Sequence, residues 1–358
     1  MKFTELESSV WTALQRETRP IVLYGMGDGA DKILRQFDLR DISVSAVFAS
    51  DEFVRGHSFH KWKVQRFADV VATYGENIVI VIAFATHRPE VMQKIFSLEE
   101  TYTVMAPDVP VVGDNIFDGD FASKHQEELE KTYDLLADER SRSVFHDIVQ
   151  YKLSGKLKYL RRCESDKKEA FETILRLNQR EYFVDLGAYR GDTIQEFLRY
   201  TGGAFASITA FEPDQKTFRK LSQYADKLGG DIRLIQAGAW SCDTALPFAA
   251  KAGRQSRVTS KGISVPMRSL DGVLSGERCT LLKMDIEGAE REAIRGAAFT
   301  IQKHHPKLNI AVYHRSEDIF AIPLQLYALC PDYRFYLRRH PAIPAWDANL
   351  YAVCDEEK

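Results

Sequence analysis

Tyr182-Phe-Val-Asp-Leu186 is an apolar, β-prone run that ends in an acid and passes straight into Gly187-Ala-Tyr-Arg-Gly191, after which Thr193 to Tyr200 has helical apolar spacing. No other stretch restricts the fold as strongly. A strand that turns through glycines into a helix buries both elements by packing the helix back on a parallel sheet, so strand and helix should alternate around it. Ser207–Phe211, Ile232–Gln236, Thr280–Met284 and Leu308–Tyr313 read as further strands. Helical spacing falls over Asp214–Leu228, from Glu290 to about Gln302, and over Ile319–Ala328. Trp240 to Pro266 reads as short polar-alternating pieces. Tyr333–Arg338 and Asn349–Val353, with only a Pro-containing loop between them, predict an antiparallel hairpin on a mostly parallel sheet.

A second, separate α/β pattern precedes this one. Phe3–Arg16 is an amphipathic helix ended by Pro20, and Ile21–Tyr24 is a strand. Gly25-Met-Gly27-Asp-Gly29-Ala30 is a turn, and Asp31–Phe37 returns to helical spacing. Ile42–Ala49 and Asn77–Phe84 read as strands, and Tyr102–Met105 and Val109–Val112 could add two more. From about Phe121 to Asn178 strand formers thin out and Glu, Lys, Arg and Leu take over at helical intervals. The fold class is therefore α/β, with two Rossmann-like domains joined by a helical connector. The expected boundaries are 1–120, 121–178 and 179–358.

The 358 residues suffice for two domains, and 45% hydrophobic with 28% charged residues is the balance of a chain that buries a core. Lys plus Arg number 48 against 51 acids, a net charge of -3, which is not the basic surplus of a dedicated nucleic-acid binder. The longest apolar run, Ile78–Ala85, is far short of a membrane span and fits a buried strand. The first residues carry acids where a signal peptide is basic, and the five scattered cysteines form no CxxC pair. These features read as a cytoplasmic protein with reduced thiols and no zinc ribbon. The basic cluster Lys152, Lys156, Lys158, Arg161 and Arg162 reads as a solvated helix face.

Gly187-x-x-x-Gly191 is not a dinucleotide fingerprint, because it lacks the middle glycine that makes room for a pyrophosphate. The acid before the turn, Asp185, suits a cofactor with a positively charged amino-acid end. Asp192 stands where it could cap the helix. About twenty residues past Gly191 comes Glu212, placed at a strand end to accept both hydroxyls of a ribose, followed by Pro213.

With Ala210-Phe-Glu-Pro-Asp214, Leu282-Lys-Met-Asp-Ile-Glu-Gly-Ala-Glu290, Tyr313-His-Arg-Ser-Glu-Asp318 and Asn349-Leu-Tyr-Ala-Val353, the region 180–354 resembles the FkbM family of S-adenosylmethionine-dependent methyltransferases in motif order and spacing. The resemblance implies a seven-stranded methyltransferase sheet and O-methylation of a hydroxyl on a sugar, a glycan precursor or a secondary metabolite. It implies S-adenosylmethionine as cofactor, leaving S-adenosylhomocysteine. Carried onto this chain, Asp185, Gly187 and Gly191 line the methionine portion, and Ala188, Tyr189, Asp192 and Thr193 belong to the cofactor-binding set. Glu212 and Pro213 hold the ribose, Gly238-Ala239-Trp240 sits near the adenine, and Asp285 faces the sulfonium and the acceptor. Tyr189-Arg190 departs from the family's usual Asn and small or apolar residue.

An aliphatic hydroxyl is a weak nucleophile, so a general base helps. The candidates are His314, Asp285 and Glu287, with His314 favoured on its ordinary pKa. Asp285, Glu287 and His314 could also hold a divalent ion, although oxygen-rich sites use more carboxylates, and no metal is expected. Glu290 is expected to pair with Arg291, Arg295 or the backbone.

Gly25-x-Gly27-x-x-Ala30, with Asp51 about twenty residues beyond, fits a dinucleotide-type turn and its ribose acid. The first block resembles the small Rossmann-like domains that precede sugar-modifying transferases and bind a nucleotide-sugar. Gly25, Gly27, Gly29 and Asp51 are the candidate site. Phe53, His57, Phe59, His60 and Trp62 would either shape a sugar pocket or form local core. Two other functions stay open at this level: an NAD-linked oxidoreductase using that turn, and a non-catalytic module of a polysaccharide assembly complex. Acceptor-specific loops would be Thr244–Lys261 and the segment before Trp346. Oligomeric state is open, a homodimer included.

Overall fold

The computed structural model describes residues 6–249, 257–258 and 262–354. Two compact units emerge. One comprises the chain up to Glu130 with Arg142–Ser165 and Arg339–Asp347; the other comprises Lys131–Ser141, Asp166–Arg338 and the chain from Ala348. The helical stretch 121–178 is thus shared between them, and so is the terminal region.

The first unit is built on a six-stranded sheet. Its strands are β1 (Ile21–Tyr24), β2 (Ala46–Phe48), β3 (Ser58–Phe59), β4 (Trp62–Gln65), β5 (Val79–Ile82) and β6 (Thr103–Met105), in the order β3-β4-β2-β1-β5-β6. All pair in parallel except the β3–β4 hairpin. Helices Val10–Gln15 and Asp28–Asp38 bury Trp11, Leu14, Ile33 and Phe37 in a core with Leu23, Val47 and Val81.

Several expectations shift here. The first helix starts at Val10, because the Glu7 N–H donates to Gln150 Oε1 and the Glu7 carboxylate is held by Lys156 and Lys158. Residues 1–5 of that expected helix lie outside the described residues. β2 is short because the Ile42 N–H is taken by Phe37 O at 2.9 Å, closing the preceding helix. Val109–Val112 is not a strand: the ammonium of Lys32 donates to Pro110 O at 3.0 Å and Val111 O at 2.9 Å. The basic cluster is spent on acids within its own unit. Lys152 pairs with Asp108, Lys156 and Lys158 with Glu7, Arg161 with Glu99, and Arg162 with Asp147.

The second unit holds a seven-stranded sheet made of β7 (Tyr182–Leu186), β8 (Ser207–Phe211), β9 (Ile232–Ile235), β14 (Leu281–Met284), β15 (Lys307–Ala311), β16 (Tyr333–Arg339) and β17 (Ala348–Cys354), ordered β16-β17-β15-β14-β7-β8-β9. β7, β8, β9, β14 and β15 run parallel, β17 is antiparallel to β15, and β16 with β17 is the expected terminal hairpin. Between β9 and β14 the chain adds β10 (Gly238–Ala239), β11 (Thr244–Ala249), β12 (Arg257–Val258) and β13 (Ile263–Arg268), a separate four-stranded sheet that the polar-alternating pieces did not reveal. Part of the expected acceptor loop Thr244–Lys261 lies outside the described residues. No helix among the described residues is long and apolar enough to cross a membrane.

Candidate active site

The parallel register sets Leu186 beside both Phe211 and Met284, so the residues that follow β7, β8 and β14 leave the sheet along one edge. That edge of an open α/β sheet is where ligands bind. The Gly187 and Ala188 N–H groups donate to Phe211 O at 3.1 and 2.9 Å, and the Asp285 N–H to Leu186 O at 3.1 Å. Gly187 has φ +90°, and a Cβ there would lie 2.2 Å from Asp285 O. The glycine therefore lets two strand-end turns touch. At Gly191 (φ +91°) a Cβ would strike the Tyr224 ring. The helix begins at Asp192 with Gly191 as its N-cap, so Asp192 complements the helix dipole from the first turn instead of capping it.

Asp185 is fully buried. One carboxylate oxygen accepts from the Thr193 hydroxyl, and the other lies 3.4 Å from Lys283 Nζ. Burial raises Asp185 above its ordinary value, against the pull of Lys283. Burial also works against the Lys283 cation, yet Asp185, Asp285 and Asp192 outweigh it and hold Lys283 above its ordinary value. Asp185, Thr193 and Lys283 thus brace the glycine turn from beneath.

Glu212 is 7% exposed and accepts from the Asp214 N–H at 2.8 Å. Burial pushes it up to about 7. The Tyr189 N–H donates to it as well, and burial outweighs both backbone donors. Gly238 completes this side of the edge. A Cβ on it would lie 2.6 Å from Met267 Cε and 4.0 Å from Pro213 Cβ, which places the start of β10 next to the residue after Glu212. Gly238 and Ala239 are buried, Trp240 is half-buried, and the Trp240 carbonyl packs where a side chain on Gly296 would sit.

The third group is built on Asp285–Glu290 and His314. His314 is fully buried between acids that address opposite ring nitrogens. Nε2 lies 3.3 Å from Asp285 Oδ1 and 3.8 Å from Glu287 Oε2, while Nδ1 lies 2.9 Å from Glu290 Oε1. Burial opposes a charged ring, but Glu290 and Asp285 outweigh it and hold His314 well above its ordinary value. Burial likewise pushes Asp285 up, yet His314, Lys283 and Tyr313 bring it well below the usual carboxylate range. Asp285 keeps 38% of its side chain exposed and also accepts from the Tyr313 hydroxyl at 3.2 Å. Glu290, expected to pair with Arg291, Arg295 or the backbone, is 1% exposed and does pair with the backbone, accepting from the Ile286 N–H at 2.9 Å, and it also faces His314. Its place against His314 was not read from the sequence. Donor atoms of Asp285, Glu290 and His314 lie within 4.8 Å of one another. Asp285 and Glu290 thus bracket the imidazole from opposite ring nitrogens.

In the first unit, Gly25 and Gly29 are explained by packing. A Cβ on Gly25 would lie 2.5 Å from Phe84 Cδ1, and one on Gly29 would lie 2.7 Å from Ala83 O. Gly29 and Ala30 are already inside the helix, which starts at Asp28 with Gly27 as N-cap. The first helical turn carries Asp28, 3.3 Å from Lys32, and Asp31, 2.6 Å from His60. Acids at a helix N-terminus repel the phosphates that such a turn would hold. Asp51 is exposed in a 3-10 turn, and Phe59 and His60 form part of the β3–β4 hairpin.

Residues 185–341 match the family described as the methyltransferase FkbM domain. Among solved structures, the chain is similar to the methyltransferase FkbM from Methylobacillus flagellatus KT. The two are 20% identical, the match covers 97% of this chain and 94% of that one, and the TM-score is 0.72. At this identity the likeness is one of fold, and it extends over both units. An rRNA methylase from Streptococcus thermophilus aligns at TM-score 0.36 and 15% identity, over 52% of this chain and 93% of that one. No curated protein matches.

Proposed function

We propose that the second unit transfers a methyl group from S-adenosylmethionine to a hydroxyl oxygen of a sugar, a glycan precursor or a secondary metabolite. The observation that carries this reading is the meeting of three features on one sheet edge of an FkbM-type domain: the glycine turn 187–191, the buried Glu212 and the half-buried Asp285. The residues fit the cofactor. Glu212 is a buried carboxylate whose ionised form hydroxyl donors would favour, Gly187 keeps the turn free of a side chain, and the surplus of Asp185, Asp192, Asp285 and Glu287 over Lys283 suits a cation.

The cofactor supplies an already activated sulfonium methyl, so the protein's main task is alignment. Glu212 accepts the ribose hydroxyls. Lys283 and Thr193 fix Asp185 and with it the backbone of the turn. Asp285 accepts a hydrogen bond from the acceptor hydroxyl and aims its lone pair at the methyl. The low proton affinity of Asp285 makes it an orienting acceptor that takes the proton late. His314, the base favoured from the sequence, has no exposed surface and lies between Asp285 and Glu290, so it positions Asp285 from within the core and does not meet the acceptor. Glu290 holds the ring from its other nitrogen. The alternatives based on the first glycine turn gain no support from a helix end occupied by Asp28 and Asp31.

S-adenosylhomocysteine should raise the melting temperature of the wild type and raise that of Glu212→Gln much less. A methyl-labelled donor should then mark one member of a panel of hydroxylated sugars and nucleotide-sugars. Absence of any thermal shift at millimolar ligand refutes the cofactor. Transfer to nitrogen or carbon acceptors alone refutes the acceptor class.

A further inference from the structure

His305, Cys330 and Asp332 come from two turns at the start of β15 and of β16, the end of the sheet opposite the glycine turn. One donor atom from each lies within 4.8 Å of the others. Cys330 is 4% exposed and its thiol is not in a disulfide, while its backbone N–H donates to Leu326 O at 2.8 Å. A buried thiol beside an imidazole and a carboxylate is a mixed sulfur, nitrogen and oxygen donor set, and the exposure of His305 and Asp332 leaves a path from solvent. The turns are held ready. His305 sits in the left-handed region at φ 44°, as the C-cap of helix Ala298–His304. The Tyr333 hydroxyl donates to Pro306 O at 2.7 Å, and its ring meets the His305 ring edge-on at 6.5 Å. Pro306 and Pro331 stiffen both turns.

We propose that His305, Cys330 and Asp332 bind a borderline-soft divalent cation of the Zn²⁺ type. Sulfur, nitrogen and oxygen donors in one set select zinc-like ions over Mg²⁺ or Ca²⁺, which take oxygen alone. Three protein ligands leave the fourth tetrahedral position to water. On binding, the Cys330 thiol loses its proton to solvent and the Sγ–metal bond forms without change of oxidation state. The ion clips the helix that precedes β15 to the turn that opens β16. It lies apart from the methyl-transfer residues and is independent of the reading given to them.

The test uses the full chain, stripped with chelator and desalted. Titration with CoCl₂ should produce a thiolate-to-cobalt charge-transfer band that saturates at one equivalent and is displaced by ZnCl₂. Cys330→Ser should abolish the band. Asp332→Asn and His305→Asn, the latter chosen because Asn tolerates left-handed backbone, should weaken binding by more than about tenfold. ZnCl₂ should raise the melting temperature of the wild type and not of Cys330→Ser, whose metal-free melting temperature reports whether it folds. No band at excess cobalt, or an equal band in Cys330→Ser from another cysteine, overturns the site. MgCl₂ matching ZnCl₂ in the melt overturns the assignment of ion type.

Discussion

Burial gives Glu212 a raised proton affinity that works against the folded state at high pH. Its folded value of about 7 lies above that of an unfolded glutamate, so the folded state binds the extra proton between those values, and stability falls as pH rises through that window. Glu212→Gln should therefore stabilise the free protein at pH 8, by about 1–3 kcal/mol, and leave it nearly unchanged at pH 4. Hydroxyl donors favour the ionised carboxylate. Wild-type affinity for S-adenosylhomocysteine should then fall up to about tenfold between pH 8 and pH 6, and this slope should vanish in Glu212→Gln. Calorimetric titration at the two pH values and thermal melts of both proteins check this. A slope that survives the substitution assigns the proton elsewhere. The position of Glu212 was legible in the sequence because it depends on a strand end and a fixed spacing. The state of His314 was not, because it depends on Glu290 and Asp285 approaching from two sides of a ring, and nothing local announces that.

Elements were legible where local pattern and tertiary demand agreed. β7 and the helix after it came out almost to the residue, since an apolar run, paired glycines and an amphipathic face point the same way. Val109–Val112 did not, although its composition is that of a strand. Two of its carbonyls are claimed by Lys32, a residue on a helix far away in the chain. The same ammonium lies 3.3 Å from Asp28, so it links the first turn of its own helix to this segment. Lys32→Met keeps the stem and removes the donors. It should cost about 1–3 kcal/mol in urea unfolding, the range for hydrogen bonds from a charged donor. Lys32→Arg should recover part of that loss, because a guanidinium can still reach two carbonyls. A neutral Lys32→Met would mean that the segment is held by burial of Val109 and Val111 alone.

At the scale of the molecule, the expected boundary at residue 179 cuts through chemistry. Arg338, 2% exposed on β16, donates from Nε and Nη2 to Glu169 and from Nη2 to Asp138, each at 2.8 Å, and from Nη1 to the Ser141 hydroxyl at 2.8 Å. Burial opposes the guanidinium, but these two acids hold it above its ordinary value. All three partners lie in the stretch 121–178, which sequence composition marks only as helical and polar, yet they belong to the same unit as the seven-stranded sheet. Charge-rich helices look alike whether they connect two domains or satisfy a buried cation inside one of them, so the pattern could not separate these cases. A fragment of residues 179–358 strips Arg338 of every one of these partners and leaves a desolvated charge. In the full chain, Asp138→Asn with Glu169→Gln should cost about 3–5 kcal/mol, the penalty for a buried ion that loses its counter-charge. The fragment, which loses the helices as well, should give no cooperative melt, whereas the double variant should still melt cooperatively at lower temperature. A 179–358 fragment that unfolds with the full chain's midpoint would show that the sheet tolerates an unpaired Arg338, and that its hydrophobic core alone defines the domain.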